Sequence, residues 1–250
     1  ARTDEDQEEA AQKIRKYDLI ALPVVNEADA LVGIITHDDA FDVITQESTE
    51  DIEKLMAIGG RHEVGGYLRA SPWEHFRNRA AWVAALGLVG MLSGSIVERH
   101  AGLLREFTLL AAFMPMLAGA GGNTGSQSAA LVVRGLALRE LLPRDLPRIL
   151  LKETLVSLQL GLLLGGIVFV RVLLEGGSGG GGNYGPLSLA IALAVGLQVV
   201  TATLVGAFLP VLAARLKLDP AVVASPALTT IVDVTGLLIY FSVTAAILGV

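Results

Sequence analysis

The sequence predicts an all-α membrane protein with five transmembrane helices per chain, preceded by a small soluble α/β motif and a connecting helix. Two observations support this fold class. Of the 250 residues, 52% are hydrophobic but only 5% are aromatic, and 28 are glycines, a composition typical of helices that pack closely in a bilayer. The charge is also uneven, because 17 of the 25 acidic residues lie within the first 79 positions.

Composition also excludes several functions. The chain has no cysteine, which rules out disulfides, thiolate metal sites and a cysteine nucleophile. Its net charge of −6 argues against a nucleic acid partner. Its 4 histidines are scattered, and neither a phosphate-binding loop nor a nucleophile–base pair is recognisable, so no enzyme is predicted.

The first 46 residues are predicted to alternate helices and strands. Thr3 is the expected N-cap of a helix that ends at Tyr17, because the acids after it suit the positive end of the helix dipole. A short buried strand at residues 20–25, a turn and a second strand at residues 31–35 follow. Thr36 then caps a second helix that has two acids in its first turn.

This order of elements, with the strands LPVV and LVGIIT around Gly33 and the Thr-His-Asp-Asp cap, resembles a CBS motif. Because CBS motifs pack in pairs, the resemblance implies that residues 1–46 are a partial CBS domain. It also implies that this sequence is the C-terminal part of a longer chain. A complete CBS module would be a candidate site for adenine nucleotide.

Residues 47–79 are predicted to form an acidic linker and the connecting helix. Two interpretations fit the acids at its start, namely a solvated helix N-terminus or a divalent-cation site, since hard cations prefer carboxylate oxygens. The acids are Glu47, Glu50, Asp51 and Glu53, and the cation site would share Asp38, Asp39 or Asp42.

Residues 80–250 contain five apolar stretches that are long enough to cross a bilayer, which takes about 20 residues. They are residues 80–97, 107–133, 149–174, 187–214 and 221–250. Ser71 and Pro72 predict the start of the helix that leads into the first span. The polar side chains of Ser157, Gln159, Gln198 and Thr201 are predicted to form hydrogen bonds between helices.

Basic residues predict the orientation of the spans. Eleven Lys or Arg side chains flank the spans on the side of the acidic N-terminal piece, and only three lie on the other side. This excess places the N-terminus in the cytoplasm, and five spans then place the C-terminus outside the cell membrane. The glycine-rich loop at residues 176–182 is assigned no function.

The second span has a polar centre. Between Pro115 and Ser128 it holds four glycines and five polar side chains, which predicts a break in the helix. Broken backbone at that depth is tolerated where protein buries it or water reaches it. Close helix packing explains the glycines, whereas a polar pathway also explains the polar side chains.

The fifth span contains one acidic residue, Asp233. An ionised carboxylate in hydrocarbon is costly, so it requires a cation, a partner or a proton. Asp233 is therefore predicted either to face a permeating cation or to be protonated and hydrogen-bonded between helices. Helical spacing places it on one face with Pro226, Thr229, Thr230, Gly236, Leu237 and Tyr240.

Two long segments carry a more specific signal. PMLAGAGGNTGSQSAALVVRGLA in the second span and DPAVVASPALTTIVDVTGLLIYF in the fifth resemble the signature segments of the MgtE family of magnesium channels and transporters. The resemblance implies a homodimer in the lipid bilayer, in which Asp233 of each chain faces hydrated Mg²⁺. The ion path would be lined by Gly119, Gly122, Asn123 and Ser126.

The same resemblance implies a Mg²⁺ sensor in the cytoplasm. Mg²⁺ bridging its acids would hold a closed state, and repulsion between them at low Mg²⁺ would open the pore by shifting a two-state equilibrium. Residues 48–75 would form the plug helix beside the pore. The sensor residues would be Asp6, Asp18, Asp39, Glu47, Glu50 and Asp51.

Three functions are compatible with the sequence. The preferred one is a homodimeric, Mg²⁺-selective channel for which Mg²⁺ is both substrate and regulatory ligand. The alternative is a secondary transporter of divalent metal that uses Asp233 as its coupling site. Such a transporter is expected to repeat its broken helices, and only one break is predicted, which favours the channel. A membrane sensor that binds nucleotide has the least support.

Overall fold

The computed structural model contains two compact units, Ala1–Asn78 and Arg79–Val250. The predicted connecting helix at 47–79 and the glycine-rich loop at 176–182 fall partly outside the residues that the structure describes. The described residues are 1–56, 58, 67–177, 184–221 and 226–249.

The first unit has the predicted order helix, strand, turn, strand, helix. Its elements are helix α1 (Gln7–Tyr17), strands β1 (Ala21–Val25) and β2 (Leu31–Thr36), and helix α2 (His37–Leu55). The strands pair antiparallel, with Ala21 opposite Thr36. Asn26 closes the turn between them, because its Oδ1 accepts hydrogen bonds from two backbone amides.

The N-cap of α1 differs from the prediction. Asp6 caps the helix, and its Oδ1 accepts a hydrogen bond from the Glu8 amide at 2.8 Å. The backbone amide of Thr3 instead donates to the Val25 carbonyl oxygen at 3.1 Å, which holds the first residues beside β1. Thr3 was therefore the wrong residue. Threonine and aspartate are both good N-cap residues, so the sequence did not distinguish Thr3 from Asp6. The hydrogen bond of Thr3 to the strand leaves Asp6 as the cap.

The core of the first unit is small. Its buried side chains come from both helices and from β1, where Leu22 is the buried residue. The prediction of a buried first strand is only partly correct, because Pro23 is exposed within it. Val32 and Ile34 of β2 are also more than half exposed, since this two-stranded sheet has helices on one face only.

Helix α2 is capped by Thr36, as predicted. The backbone amide and the hydroxyl of Thr36 both donate to Asp39 Oδ2, at 3.2 Å and 2.5 Å. The helix runs without interruption through residue 46, so the CBS-like motif and the acidic segment after it share one helix.

The described remainder of the chain is mostly helical. Its helices are α3 (Pro72–Arg99), α4 (Ala101–Glu106), α5 (Leu109–Ala137), α6 (Leu146–Gly177), α7 (Gly185–Arg215) and α8 (Pro226–Leu248). Within the described residues, four helices, at α3, α6, α7 and α8, are long and apolar enough to cross a membrane. Helix α5, which has 29 residues and contains the polar centre of the second predicted span, is long enough but is not among these four.

The predicted break in the second span is wrong. Helix α5 continues from Leu109 to Ala137 with Pro115 inside it. A proline in a helix removes one backbone hydrogen bond, and membrane helices tolerate the loss when neighbours and polar side chains compensate. The side chain of Thr124 also bonds within this helix, because its hydroxyl donates to the Ala120 carbonyl oxygen at 2.9 Å.

Helix α7 is the centre of the second unit and packs against α5, α6 and α8. Glycines let the backbones approach, since a Cβ on Gly161 of α6 would lie 2.9 Å from the Gly196 carbonyl oxygen of α7. Tyr240 of α8 donates a buried hydrogen bond to the Leu110 carbonyl oxygen of α5 at 2.9 Å. Helix α3, by contrast, contains no buried residue.

Candidate functional site

Asp233 lies inside α8 with its side chain half-buried. Within the described part of the chain, no basic side chain pairs with its carboxylate and no hydrogen-bond donor reaches it. The interhelical hydrogen bond that would accompany a protonated Asp233 is therefore not seen in one copy of the chain. The carboxylate is accessible to an ion or to a second chain.

The face of α8 that was predicted around Asp233 divides into two parts. A buried stripe runs through Val232 and Gly236 to Tyr240, and it faces the other helices. Asp233 and Thr229 lie beside this stripe and are only half-buried. The predicted face is therefore partly buried and partly open, because the packing of α8 covers one side of it.

The four residues of α5 that were predicted to line an ion path share one open face. Gly119 and Asn123 are exposed, and Gly122 and Ser126 are half-buried. A Cβ placed on Gly119 or Gly122 would meet nothing within 4 Å. This face presents an amide, a hydroxyl group and unshielded backbone.

The other glycines of the same segment pack against neighbouring helices. A Cβ on Gly121 would lie 2.5 Å from Gln198 Nε2, and one on Gly125 would lie 3.0 Å from the Ala202 carbonyl oxygen. Both contacts are with α7. Close packing and an open polar face are thus both present, on different sides of α5.

Helices α5 and α8 meet at the level of Asp233. A Cβ on Gly121 would also lie 2.8 Å from Val232 Cγ1. Gly122 and Asp233 are the next residues in the two helices. The α5 segment that holds the open face and the α8 segment that holds Asp233 therefore pack against each other.

The remaining polar residues in the spans form different hydrogen bonds. Gln198 Nε2 donates to the Val232 carbonyl oxygen at 2.8 Å, which is the predicted bond between helices. Thr201 and Ser157 instead donate to carbonyl oxygens of their own helices, so the prediction was wrong for both. A hydroxyl group on a short side chain reaches the preceding turn more easily than a neighbouring helix.

Sequence reasoning did not single out Glu153, an acid in α6. Its Oε2 accepts a hydrogen bond from Ser128 Oγ of α5 at 2.9 Å. Both residues line a cavity of about 390 Å³, together with Thr124 and Gln127. The available signal was an acid a few residues into the apolar stretch at 149–174, where charged groups are rare.

Three of the predicted sensor acids have roles in the structure of the first unit. Asp18 is the C-cap of α1, with a left-handed φ of 49°. Asp39 accepts the two hydrogen bonds from Thr36 that cap α2. Glu50 forms an ion pair with Lys54, with Oε1 and Nζ 2.7 Å apart.

The other three sensor acids lie around Glu8, which sequence reasoning missed. Burial raises the pKa of Glu8, and the negative charges of Glu47, Asp51 and Asp6 raise this pKa further. Glu47 also accepts a hydrogen bond from Gln7 Nε2 at 3.0 Å. These carboxylates form one acidic face between α1 and α2, and they repel each other when ionised.

No group of three or more His, Cys, Asp or Glu side chains in the described ranges is arranged to hold a metal ion. Any Mg²⁺ at these acids would need water or a second chain for its remaining ligands. Mg²⁺ retains several of its water molecules in most protein sites, so this arrangement is compatible with it.

Comparison with known families agrees with both sequence resemblances. Residues 114–243 match the MgtE family model, which is described as a divalent cation transporter. Residues 1–46 match the CBS domain. The prediction of a CBS motif followed by an MgtE membrane region is confirmed.

The chain is also similar to three curated proteins, each named magnesium transporter MgtE. It is 45% identical to the Thermus thermophilus protein over 99% of this chain and 53% of the relative. The identities with the proteins of Bacillus subtilis and Enterococcus faecalis are 35% and 34%, over 97% and 96% of this chain and 51% and 50% of the relatives. The chain thus spans about half the length of the curated relatives it matches.

Proposed function

Because this chain belongs to the MgtE family of divalent cation transporters, we propose that it conducts Mg²⁺ across the cell membrane as a Mg²⁺-selective channel. All three relatives are named for magnesium. A member of a transporter family is not an enzyme, in agreement with the sequence prediction. The pore site rests on the geometry around Asp233, and the choice of a channel over a secondary transporter rests on the lack of repeated broken helices among the described helices.

The main observation in support of this proposal is the carboxylate of Asp233 in a spanning helix, which is unpaired among the described residues. A carboxylate in a spanning helix is expensive to keep ionised, and no described base offsets its charge. A divalent cation in the path supplies the missing positive charge. The open face of α5 beside it adds oxygen ligands from backbone, amide and hydroxyl groups, which suit Mg²⁺ and its retained waters.

Two copies of the chain would complete this site. One copy supplies a single half-buried carboxylate and leaves the polar face of α5 open. A second copy across that face would supply another Asp233 and would separate the path from lipid. Two carboxylates acting through water accommodate a hydrated Mg²⁺ better than a narrow cage of carbonyl groups.

The same proposal places the N-terminal unit in the cytoplasm. The basic residues that flank the described spans lie mainly on that side, including Arg134, Arg144 and Arg148 between α5 and α6. With α5 as a fifth span, the C-terminus lies outside. Adenine nucleotide binding by a complete CBS module stays a prediction.

Cytoplasmic Mg²⁺ would regulate the channel through the acidic face of the first unit. The support is the raised pKa of Glu8, caused first by burial and then by Glu47 and Asp51. Mg²⁺ that neutralises this face would stabilise the closed arrangement. Loss of Mg²⁺ would restore the repulsion and favour the open one.

The test of the pore site is Mg²⁺ flux into proteoliposomes. Asp233→Asn keeps the size of the side chain but removes its charge, and we expect flux at low Mg²⁺ to fall by about tenfold or more. Asp219→Asn is the matched control, since Asp219 is an acid outside the spans and asparagine preserves its hydrogen bond to the Ala221 amide. Equal flux in the wild type and the Asp233→Asn variant would contradict the pore assignment.

The distinction between a channel and a transporter requires a second measurement. A channel carries a Mg²⁺ current that follows membrane voltage when no proton or sodium gradient is present. If Mg²⁺ movement instead requires one of these gradients, Asp233 is a coupling site and the secondary transporter is correct.

A further inference from the structure

One buried amide lies where three helices of the membrane unit meet. Gln198 of α7 is 1% exposed, and its Nε2 donates to the Val232 carbonyl oxygen of α8 at 2.8 Å. Its Oε1 has no hydrogen-bond partner among the described residues. Burial of an amide with one bonding group unused costs free energy. A methionine would fill similar space without this cost, so packing alone does not account for the amide.

Glycines on both neighbouring helices make room for this side chain. A Cβ on Gly121 of α5 or on Gly236 of α8 would lie 2.5 Å from Gln198 Nε2. The amide is therefore enclosed by two glycine backbones, and its position is restricted by both. Its hydrogen bond links α7 to α8 at this level.

The acceptor of this hydrogen bond connects it to the proposed ion site. The Val232 carbonyl and the Asp233 amide nitrogen belong to the same peptide group, which is planar. A bond from Gln198 to that carbonyl therefore restrains the peptide from which Asp233 projects. Among the described residues, Asp233 itself has no partner that would hold its carboxylate in place.

We infer that Gln198 is a positioning residue for the ion site, which sets the location of the Asp233 carboxylate by holding the Val232 carbonyl. It does not contact the ion. This inference rests on the proposed role of Asp233 in Mg²⁺ conduction. Residues that orient a metal ligand typically change metal affinity by about 10- to 100-fold when they are replaced.

The test compares the Mg²⁺ concentration that gives half-maximal flux with the maximal flux itself. Gln198→Met keeps the length of the side chain but removes the donor. We expect the half-saturating Mg²⁺ concentration to rise by about tenfold, because the carboxylate is less well placed. The maximal flux per folded protein should change by less than about twofold. A purely structural role would lower the amount of folded protein without moving the half-saturating concentration.

A second variant, Gln198→Glu, keeps a hydrogen-bond donor at this position only under conditions in which its carboxyl group is protonated. In Gln198→Glu, the carboxyl group donates to Val232 only while it is protonated, and burial favours that neutral form. At pH 6.5 the half-saturating Mg²⁺ concentration of this variant should therefore lie closer to that of wild type than to that of Gln198→Met. Wild type at the same pH is the reference. Thr201→Val is the control on α7, since its hydroxyl bonds only within its own helix.

The results for the Gln198 variants test this inference, and the result for the Asp233 variant tests the proposed function. A half-saturating concentration that is unchanged in Gln198→Met, or one in Gln198→Glu at pH 6.5 that is as high as in Gln198→Met, overturns the role of Gln198. If Gln198→Met does not fold, Gln198→Leu replaces it as the variant without the donor. The Asp233→Asn variant is measured in parallel, and wild-type flux in it would overturn the pore assignment and this inference together.

Discussion

Adjacent glycines in α5 serve different purposes. Gly121 and Gly125 allow α7 and α8 to approach, while Gly119 and Gly122 face open space. The sequence shows four similar residues in one segment, and it offered packing and a polar path as alternatives. At the scale of single residues, close packing accounts for Gly121 and Gly125, while Gly119 and Gly122 lie on the open face where the polar path is proposed.

The difference between packed and open glycines predicts opposite effects of two alanine substitutions on the free energy of unfolding. In Gly121→Ala, the new methyl group would overlap Gln198 and Val232, so we expect the free energy of unfolding to fall by about 1–3 kcal/mol. In Gly119→Ala, nothing lies within 4 Å of the new group, and alanine is the better helix former by about 1 kcal/mol. Thermal unfolding in detergent measures both. A similar loss of stability in the two variants would contradict the assignment of Gly121 to the packed face and Gly119 to the open face of α5.

At the scale of elements, α5 shows how tertiary contacts override a local signal. Proline and glycine predict a break, but the helix continues through Pro115. Its buried face packs against α7 and α8, and this packing stabilises helical backbone that has low intrinsic helix propensity. No break is present in the described helices of the membrane unit, so the repeat of broken helices expected of many transporters is not seen in them.

The N-cap of α1 provides a test of how tertiary contacts override a local sequence signal. We expect Asp6→Ala to destabilise the start of α1 by about 1 kcal/mol, while Asp6→Asn preserves the cap and Thr3→Ala has little effect on it. Hydrogen exchange of the Glu8 amide in the full chain is the measurement, and about fivefold faster exchange is expected for Asp6→Ala. Faster exchange in Thr3→Ala than in Asp6→Ala would mean that Thr3 is the cap after all.

At the scale of the whole molecule, the net charge of −6 combines two unlike parts. The first 79 residues carry 17 acids and 9 basic residues, whereas the rest carries 8 acids and 10 basic residues. Nine of the 17 acids of the first part lie on helices α1 and α2. In the second part, Asp233 and Glu153 are acids within the predicted spans.

The acidic face predicts a response to both pH and Mg²⁺. Since burial and neighbouring carboxylates raise the pKa of Glu8 in the folded state, its ionised form destabilises the contact between α1 and α2 at neutral pH. This cost disappears as pH falls through the raised pKa. We therefore expect Glu8→Gln to slow hydrogen exchange in α1 and α2 at pH 7 without Mg²⁺, by about twofold, since each like-charge contact costs up to about 0.5 kcal/mol.

Mg²⁺ should slow exchange in the wild type for the same reason, and it should have a smaller effect in Glu8→Gln. The control is Glu27→Gln, an exposed acid in the turn between the strands. The regulatory proposal fails at this face if Mg²⁺ leaves exchange in the wild type unchanged, or if both variants respond equally.

The sequence by itself determined the class of the protein, its two parts and the residues of greatest interest. Hydropathy, charge and capping are local properties, so they identified the four long apolar helices, the α/β motif, the cap at Thr36 and the isolated carboxylate of Asp233. Two long segments were also sufficient to indicate the family, which the match over residues 114–243 confirms.

Only the tertiary structure decided which face of each helix is covered. It separated packing glycines from open ones, gathered Asp6, Glu47 and Asp51 around Glu8, and placed Gln198 against the peptide that carries Asp233. These relations join residues that are far apart in the chain. They depend on the rotation of each helix against its neighbours, which helical spacing in one segment does not specify.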